Sequence, residues 1–467
     1  MPSSRFILPE GNQTMPPPPG PSTTSQKLSH SLPLPFHLMA AGMSTVSSVV
    51  TAVAAHVLDG PVKESWNLAT SVVVAGMRSV MVSHPPQGRH SLSIIRGVTS
   101  RLAIPFTVVG ARGEYVDVLV KNSHHLAETV RKVAGMAPMR DDRDMPRVRN
   151  IPAEWVVHKS IDTSQVGNAP IVLYLHGGAH IFLSPRTHRI ITSEISRVCR
   201  ARVLALDYRL IPEHPFPSAV EDALAAYCAL INQQSHGFSS ALSVPTTITP
   251  DRIIVMGDSS GGCLTLQLMQ TLKTLGIPLP AGAVLLSPLV DHSVTSPSWA
   301  QNFHSDFMAL DPAGLSWALD CYAGEVGRTH PLVSPLFGDL TGLPPLLIQA
   351  GEAEVLADDA KKLHSKAVSC GLWCELQVYK DMFHVFHTFP TQPNITATAF
   401  NEIGNFVSRT LSLQNDHIAF PRSVLITCMS GKVTEETLPT GEICIESHRK
   451  LGGSPDLERR DSGIINM

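Results

Sequence analysis

Short hydrophobic runs alternate with segments of helical periodicity through the second half of the chain. The runs occupy residues 171–175, 203–206, 253–256, 283–286, 346–348 and 376–379. Helical patterns separate them near residues 187–199, 217–232, 261–275, 357–369 and 397–412. Mainly apolar strands joined by helices are typical of a parallel sheet that is covered on both faces. The pattern therefore predicts an α/β protein with a mostly parallel central sheet.

Composition divides the chain into four predicted parts. Residues 1–30 are rich in proline, serine, threonine and glycine, which predicts a disordered leader. Residues 31–149 carry apolar helical patterns and end in a charged linker, so they are predicted to form an N-terminal helical cap. The alternating segments assign residues 150–415 to the α/β domain, and the mostly polar residues 416–467 to a peripheral tail.

The stretch 31–58 contains no Asp, Glu, Lys or Arg. It is long enough to span a bilayer, which needs about 20 residues. Two prolines, two histidines and six serine or threonine residues reduce its apolar character. Two interpretations stay open: an anchor in a membrane such as the endoplasmic reticulum, or a helix whose apolar side packs on the rest of the protein, which would then be cytoplasmic.

Overall charge gives little indication of a charged partner. The formal net charge is −3, charged residues make up 16% of the chain, and neither sign forms a block. Nucleic acid is therefore not an expected partner. The eight cysteines include no CxxC pair, so neither a disulfide framework nor a cysteine-rich zinc site is expected.

The strongest chemical signal is the sequence GDSSGG at residues 257–262, directly after one predicted strand and before a helix. In a nucleophile elbow, serine occupies a sharp strand-to-helix turn whose small neighbours leave the hydroxyl exposed. A bare GxSxG sequence also occurs in ordinary glycine-rich loops. The position between strand and helix favours the elbow and predicts Ser259 as nucleophile.

A second motif, HGGAH at residues 176–180, follows the first predicted strand. Acyl transfer develops negative charge on an oxygen, and fixed N–H donors must be aimed at it. The predicted oxyanion donors are the amides of Gly177, Gly178 and Ser260. His176 and His180 could instead bind a metal ion, but a catalytic zinc site uses three protein ligands and the sequence shows no third one nearby. Neither a metal nor an organic cofactor is therefore expected.

These motifs, together with DYRLIPEHPFP at residues 207–217, resemble the hormone-sensitive-lipase family of α/β-hydrolases. That family includes arylacetamide deacetylases and fungal steryl acetyl hydrolases. The resemblance covers about residues 150–410 and implies the α/β-hydrolase fold. It also implies structural rather than chemical roles for Asp258, Arg209, Glu213 and Asp291.

The resemblance also completes a triad in the chain order serine, acid, histidine. The segment GEAEVLAD at 351–358 is similar to the family's acid motif and places Glu354 at the acid position, where aspartate is usual. Asp358 is the alternative acid. The sequence MFHVF at 382–386 is similar to the loop of the base and implies His384 in that role, with His387 outside it.

The implied function is a serine carboxylesterase or deacetylase that removes a short acyl group, such as acetate, from a hydrophobic small molecule. Ser259 would form an acyl-enzyme that water then hydrolyses. An acyltransferase would use the same residues and remains an alternative. A ligand-binding receptor on this fold is a second alternative, although His384 is present where such receptors lack a working histidine. His180 stands where an aromatic or aliphatic residue is more usual, which would change the acyl pocket.

Overall fold

The computed structural model describes residues 34–83, 96–97, 105, 107–121, 123–139, 148–162, 169–232, 248–308, 312–412, 422–429 and 432–437. Its strands are β1 (Ala111–Lys121), β2 (Val148–His158), β3 (Ile171–Leu175), β4 (Arg202–Leu206), β5 (Ile253–Asp258), β6 (Gly282–Leu286), β7 (Leu346–Gly351), β8 (Cys374–Tyr379), β9 (Arg422–Met429) and β10 (Lys432–Thr437). Its helices are α1 (Leu34–Leu58), α2 (Leu68–Ser83), α3 (Ser123–Val133), α4 (Arg189–Cys199), α5 (Ser218–Asn232), α6 (Ser260–Thr274), α7 (Ser298–Gln301), α8 (Pro312–Ala323), α9 (Ala357–Ser369) and α10 (Pro393–Ser412).

The described strands form one sheet in the order β1-β2-β4-β3-β5-β6-β7-β8-β9-β10. Strands β3 to β8 run parallel to one another, and every residue in them is buried. Two-sided burial explains why these strands are almost continuously apolar. The predicted α/β architecture is confirmed, and each of the six apolar runs lies inside one strand.

The sheet extends beyond the boundaries that the sequence predicted at residues 150 and 415. Strand β1 lies within 31–149 and pairs antiparallel with β2 along its full length. Strand β9 lies within 416–467 and pairs parallel with β8, while β10 pairs antiparallel with β9. The division of the chain is therefore corrected: the cap region and the tail both contribute strands to the central sheet. The sequence did not predict these strands because their composition is alternating or polar. Such a composition is expected of strands at the margin of a sheet, which are only partly buried.

The N-terminal helices pack on each other and on the loops at one end of the sheet. Helices α1 and α2 are in contact, with His56 Nδ1 and Ser71 Oγ 2.9 Å apart. Just before α2, Trp66 Nε1 donates a hydrogen bond of 2.6 Å to the carbonyl oxygen of Asp381. This contact joins the N-terminal helices to the loop that follows β8, which also carries His384.

None of the helices in the described ranges combines the length and the hydropathy that a transmembrane span requires. Association of residues 31–58 with a membrane stays a prediction.

Candidate active site

Ser259 occupies the sharp turn between β5 and α6. Its backbone has φ 53° and ψ −120°, a conformation that non-glycine residues rarely adopt. The amide of Ser259 donates a hydrogen bond of 2.8 Å to Leu286 O, which ties the turn to the neighbouring strand. A Cβ atom added at Gly261 would collide with the carbonyl oxygen of Leu175. The turn therefore requires glycine at this position, and the GxSxG sequence reflects a close backbone approach.

Glu354 and His384 meet on the loops that follow β7 and β8. His384 Nδ1 lies 4.0 Å from Glu354 Oε2, and both side chains are almost completely buried. Since β5, β7 and β8 are parallel strands of one sheet, Ser259 lies at the same edge as this pair. The structure thus brings the three predicted triad residues to one end of the sheet.

Asp358, the alternative acid, has different partners. Its Oδ2 accepts a hydrogen bond of 2.9 Å from the backbone amide of Ser298, and its Oδ1 lies 3.6 Å from Lys361 Nζ. It is located in the first turn of α9, where a carboxylate also interacts favourably with the helix dipole. These contacts account for Asp358 without a role in catalysis, and the geometry favours Glu354.

Burial shifts the pKa of both members of the Glu354–His384 pair. Burial, with a further contribution from the negative charge of Asp306, raises the pKa of Glu354 well above its usual range. Hydrogen bonds from Ser287 and Gly351 act in the opposite direction. Burial lowers the pKa of His384 from 6.5 to about 4, against an opposing contribution from Asp258. The imidazole is therefore held neutral, which is the form a general base requires.

Two residues that support the pair were missed by the sequence reasoning. Ser287 Oγ donates a hydrogen bond of 2.6 Å to Glu354 Oε2 and accepts one of 3.0 Å from the amide of Val385. Asp306 is fully buried, and its Oδ2 accepts a hydrogen bond of 2.7 Å from the amide of Val355. The contacts of these two residues with the loops of Glu354 and His384 span 49 to 98 sequence positions, so no local motif reveals them.

The predicted set of oxyanion donors needs one correction. The amide of Gly177 donates a hydrogen bond of 2.9 Å to Asp258 Oδ1, so it cannot also face a substrate oxygen. In the part of the chain that the structure describes, the amides of Gly178 and Ala179 have no acceptor. Gly178 has φ 116° and Ala179 has φ 53°, so the loop turns sharply here and departs from regular backbone hydrogen bonding. The donor set favoured by the geometry is Gly178, Ala179 and Ser260.

Hydroxyl groups hold this loop against the start of α6. Ser260 Oγ accepts a hydrogen bond of 3.2 Å from the amide of His180. Tyr208 Oη donates one of 2.6 Å to the carbonyl oxygen of His176. Ser260 thus contributes more than its backbone, although an N–H at the first turn of a helix is free of intrahelical bonds in any case.

Asp258 is the centre of a buried network beneath the nucleophile. Its Oδ1 accepts a hydrogen bond of 2.6 Å from Tyr174 Oη, and its Oδ2 lies 3.2 Å from His188 Nε2. Burial alone would raise the pKa of Asp258, but His188 and the hydrogen bonds lower it to about 2. The charge fixes the loops around Ser259, as the sequence predicted for a structural aspartate.

Comparison with known proteins agrees with the fold. A family model described as alpha/beta hydrolase fold matches residues 172–388. An acetyl-hydrolase of Streptomyces hygroscopicus is 39% identical over 53% of this chain and 76% of its own length. An esterase of Acinetobacter venetianus is 33% identical over 48% of this chain and 70% of its own length.

Solved structures give the same result. An esterase from the bacterial hormone-sensitive lipase family superposes with a TM-score of 0.58 at 30% identity, over 74% of this chain and 99% of its own. An esterase/lipase from an uncultured bacterium has a TM-score of 0.58 at 31% identity, over 74% and 100% of the two chains.

The chain belongs to the α/β-hydrolase family, in its hormone-sensitive-lipase-like group. Within that group it is a carboxylic ester hydrolase.

Proposed function

We propose that this carboxylesterase hydrolyses short acyl esters, acetyl esters above all, of hydrophobic small molecules. Ser259 attacks the ester carbonyl while His384 takes its proton, and Glu354 orients the imidazole. The alkoxide leaves with that proton, and water, deprotonated by His384, then hydrolyses the acyl-enzyme. The observation that carries the proposal is the 4.0 Å approach of Glu354 Oε2 to His384 Nδ1, at the same edge of the sheet as the strained Ser259 turn.

The surroundings of the oxyanion loop support a small acyl group. His180 follows the proposed donors directly, and its ring stacks on Tyr322 with 3.7 Å between centroids. His292 lies on the same cluster, 5.4 Å from the Tyr322 ring centroid. These buried rings fill the space beside the donors, which leaves little room for a long acyl chain. The name of the Streptomyces relative, acetyl-hydrolase, points in the same direction.

The surroundings of His384 support a hydrophobic alcohol. The Phe307 ring lies 6.0 Å from His384 and 6.3 Å from Phe389, measured between centroids. Phe383 adds a third phenyl ring at 5.9 Å from Phe307. Apolar and aromatic side chains with few polar groups are typical of a pocket for a lipophilic ligand.

The nucleophile is tested with a fluorophosphonate probe followed by peptide mass spectrometry. The wild type should be labelled at Ser259, and Ser259→Ala should lose both the label and ester hydrolysis while keeping its unfolding temperature. Ser365→Ala, which removes an exposed hydroxyl on α9, is the matched control and should react like the wild type. Labelling that persists in Ser259→Ala would overturn the assignment.

Substrate class is tested with p-nitrophenyl esters of increasing acyl length. We expect kcat/KM to be highest for acetate to butyrate and to fall for octanoate. Tyr322→Ala should shift this preference toward longer chains, because it opens the acyl side. Phe307→Ala should keep the acyl preference and raise KM for acetyl esters of hydrophobic alcohols. A wild type that prefers octanoate would contradict the acetyl-ester proposal.

A further inference from the structure

A buried cluster of three metal-ligating side chains lies next to the oxyanion loop. His180 comes from that loop, Cys263 from the second turn of α6, and His292 from the loop after β6. One ligand atom from each residue lies within 4.8 Å of the other two. The sequence separates these residues by 29 to 112 positions on three different segments, and only the fold brings them together.

The two imidazoles of this cluster pack against neighbouring rings, but their nitrogens make no hydrogen bond to the described residues. Within the described ranges, both ring nitrogens of His180 and both of His292 are buried and have no hydrogen-bond partner. A buried polar group without a partner costs about 1–3 kcal/mol, so native proteins rarely leave even one. Each neutral imidazole carries one lone pair and one N–H, so one bound ion would take one nitrogen from each ring.

We propose that His180, Cys263 and His292 bind a divalent metal ion of the zinc type. Two imidazoles and one cysteine sulfur are a ligand set that suits Zn²⁺, which binds nitrogen at about 2.0–2.1 Å and sulfur at about 2.3 Å. Three protein ligands leave the fourth tetrahedral position for water or a substrate atom.

Ring geometry supports a shared ion. The centroids of His180 and His292 are 6.0 Å apart and their planes differ by 24°, a separation that two imidazoles bound to one ion can adopt. Tyr322 stacks on His180 with an angle of only 7° between the planes, which fixes the direction of its lone pairs. The ligand atoms lie within 4.8 Å of one another and would have to move closer together to bind one ion.

Charge around the cluster is also favourable for a cation. Asp291 precedes His292 directly, and Asp359 is buried close enough for its charge to act on Cys263. Ligation replaces the Cys263 proton with the ion, and the proton leaves to solvent. The bound thiolate neutralises one of the two positive charges of the ion, and a single nearby carboxylate is enough to offset the other.

An ion in this position would regulate hydrolysis. The amide of His180 donates to Ser260 Oγ, so a metal bond to the His180 ring fixes the loop that carries the proposed oxyanion donors. The ion also occupies the acyl side of the site. We therefore expect Zn²⁺ to inhibit ester hydrolysis. The proposed metal site is independent of which acyl group the enzyme prefers.

Direct binding of Zn²⁺ tests the proposal without an activity measurement. The full chain is freed of metal with a chelator, and binding is followed by competition with a chromophoric zinc indicator. We expect one equivalent per chain, and a loss of at least 100-fold in affinity for Cys263→Ser, His292→Phe and His180→Phe. The phenylalanine variants keep an aromatic ring on Tyr322, so they separate loss of a ligand from loss of packing.

Cobalt provides a second measurement that identifies the sulfur ligand. Co²⁺ bound to the wild type should show a thiolate-to-metal charge-transfer band that is absent in Cys263→Ser and present in Cys199→Ser, a buried control cysteine. Thermal unfolding checks that each variant is folded. If Cys263→Ser does not fold, the zinc affinities of the two histidine variants decide the outcome. Stoichiometric binding that all three variants retain, or no binding by the wild type, would overturn the proposal.

Discussion

Ser287 donates a 2.6 Å hydrogen bond to Glu354 and, through the same oxygen, accepts one from the amide that follows His384. One hydroxyl therefore joins the loop of the acid to the loop of the base. Glu354 is buried, and a hydrogen bond to its carboxylate favours the charged form that stabilises a protonated imidazole. Ser287 acts as a positioning residue, because it contacts the acid and not the substrate.

Replacing Ser287 with alanine should lower kcat by roughly 10–100-fold, equivalent to about 1.4–2.7 kcal/mol, with little change in KM. The pKa of Glu354 should rise further in the variant, so the remaining activity should begin to fall at a higher pH than in the wild type. Ser296→Ala is the matched control, since Ser296 Oγ donates to the buried carboxylate of Asp359 instead. Equal losses in the two variants would show a general effect of removing buried hydroxyls.

Glu354→Gln should cost far more activity than Asp358→Asn. An amide cannot stabilise the imidazolium, and loss of the orienting charge has cost about 10⁴ in kcat in a serine protease. Asp358 only accepts from the amide of Ser298 and pairs with a half-exposed lysine, so its variant should stay within about 10-fold of the wild type. Steady-state kinetics on one acetyl ester decides the order, and the reverse order would assign the acid to Asp358.

The acid limb of kcat/KM should lie below pH 6.5, the ordinary pKa of histidine. Burial lowers the pKa of His384 to about 4, and the base works when it is unprotonated. Activity should therefore persist as the pH falls from 7 toward 5 and disappear as His384 becomes protonated. A limb above pH 6.5 would contradict this account.

Trp66 provides a test of the N-terminal cap. It is almost completely buried, and its Nε1 bonds to Asp381 O in the loop of His384. Trp66→Phe removes that hydrogen bond and part of the buried ring, whereas Trp66→Ala leaves a much larger cavity and should destabilise the protein by about 3–5 kcal/mol. We expect KM for hydrophobic acetyl esters to rise in both variants and more strongly in the second. Unchanged KM in Trp66→Ala would show that the cap does not contribute to the substrate pocket.

The parallel core of the fold was predictable because burial leaves a direct record in the sequence. The strands around Ser259 are nearly continuous apolar runs, and the helices between them keep one apolar face. Strand β1 was not predicted, since Arg112, Glu114 and Asp117 interrupt its apolar positions and the strand lies before a charged linker. Strand β9 follows a polar stretch that resembled a tail.

The candidate site was predictable wherever chemistry requires a local motif. Ser259 and His384 lie in short loops whose sequence motifs indicate a sharp turn. The donor set was less predictable, because only the structure shows that Asp258 takes the amide of Gly177. The contacts of Ser287 and Asp306 join distant loops, and their residue types carry no signal in isolation.

The backbone around the site carries a concentration of left-handed non-glycine residues: Ala179, His180, Ser259, Ser287, Asp381 and Val385 all have positive φ. Valine at φ 44° is especially unfavourable, because its branched side chain crowds the adjacent peptide. Such conformations cost of order 1–3 kcal/mol each and persist only where the surrounding structure enforces them. The enzyme therefore has a lower thermal stability than the same fold with relaxed loops would have. Substitutions that relieve this strain should give the largest increases in thermal stability, and they are also the ones most able to lower turnover.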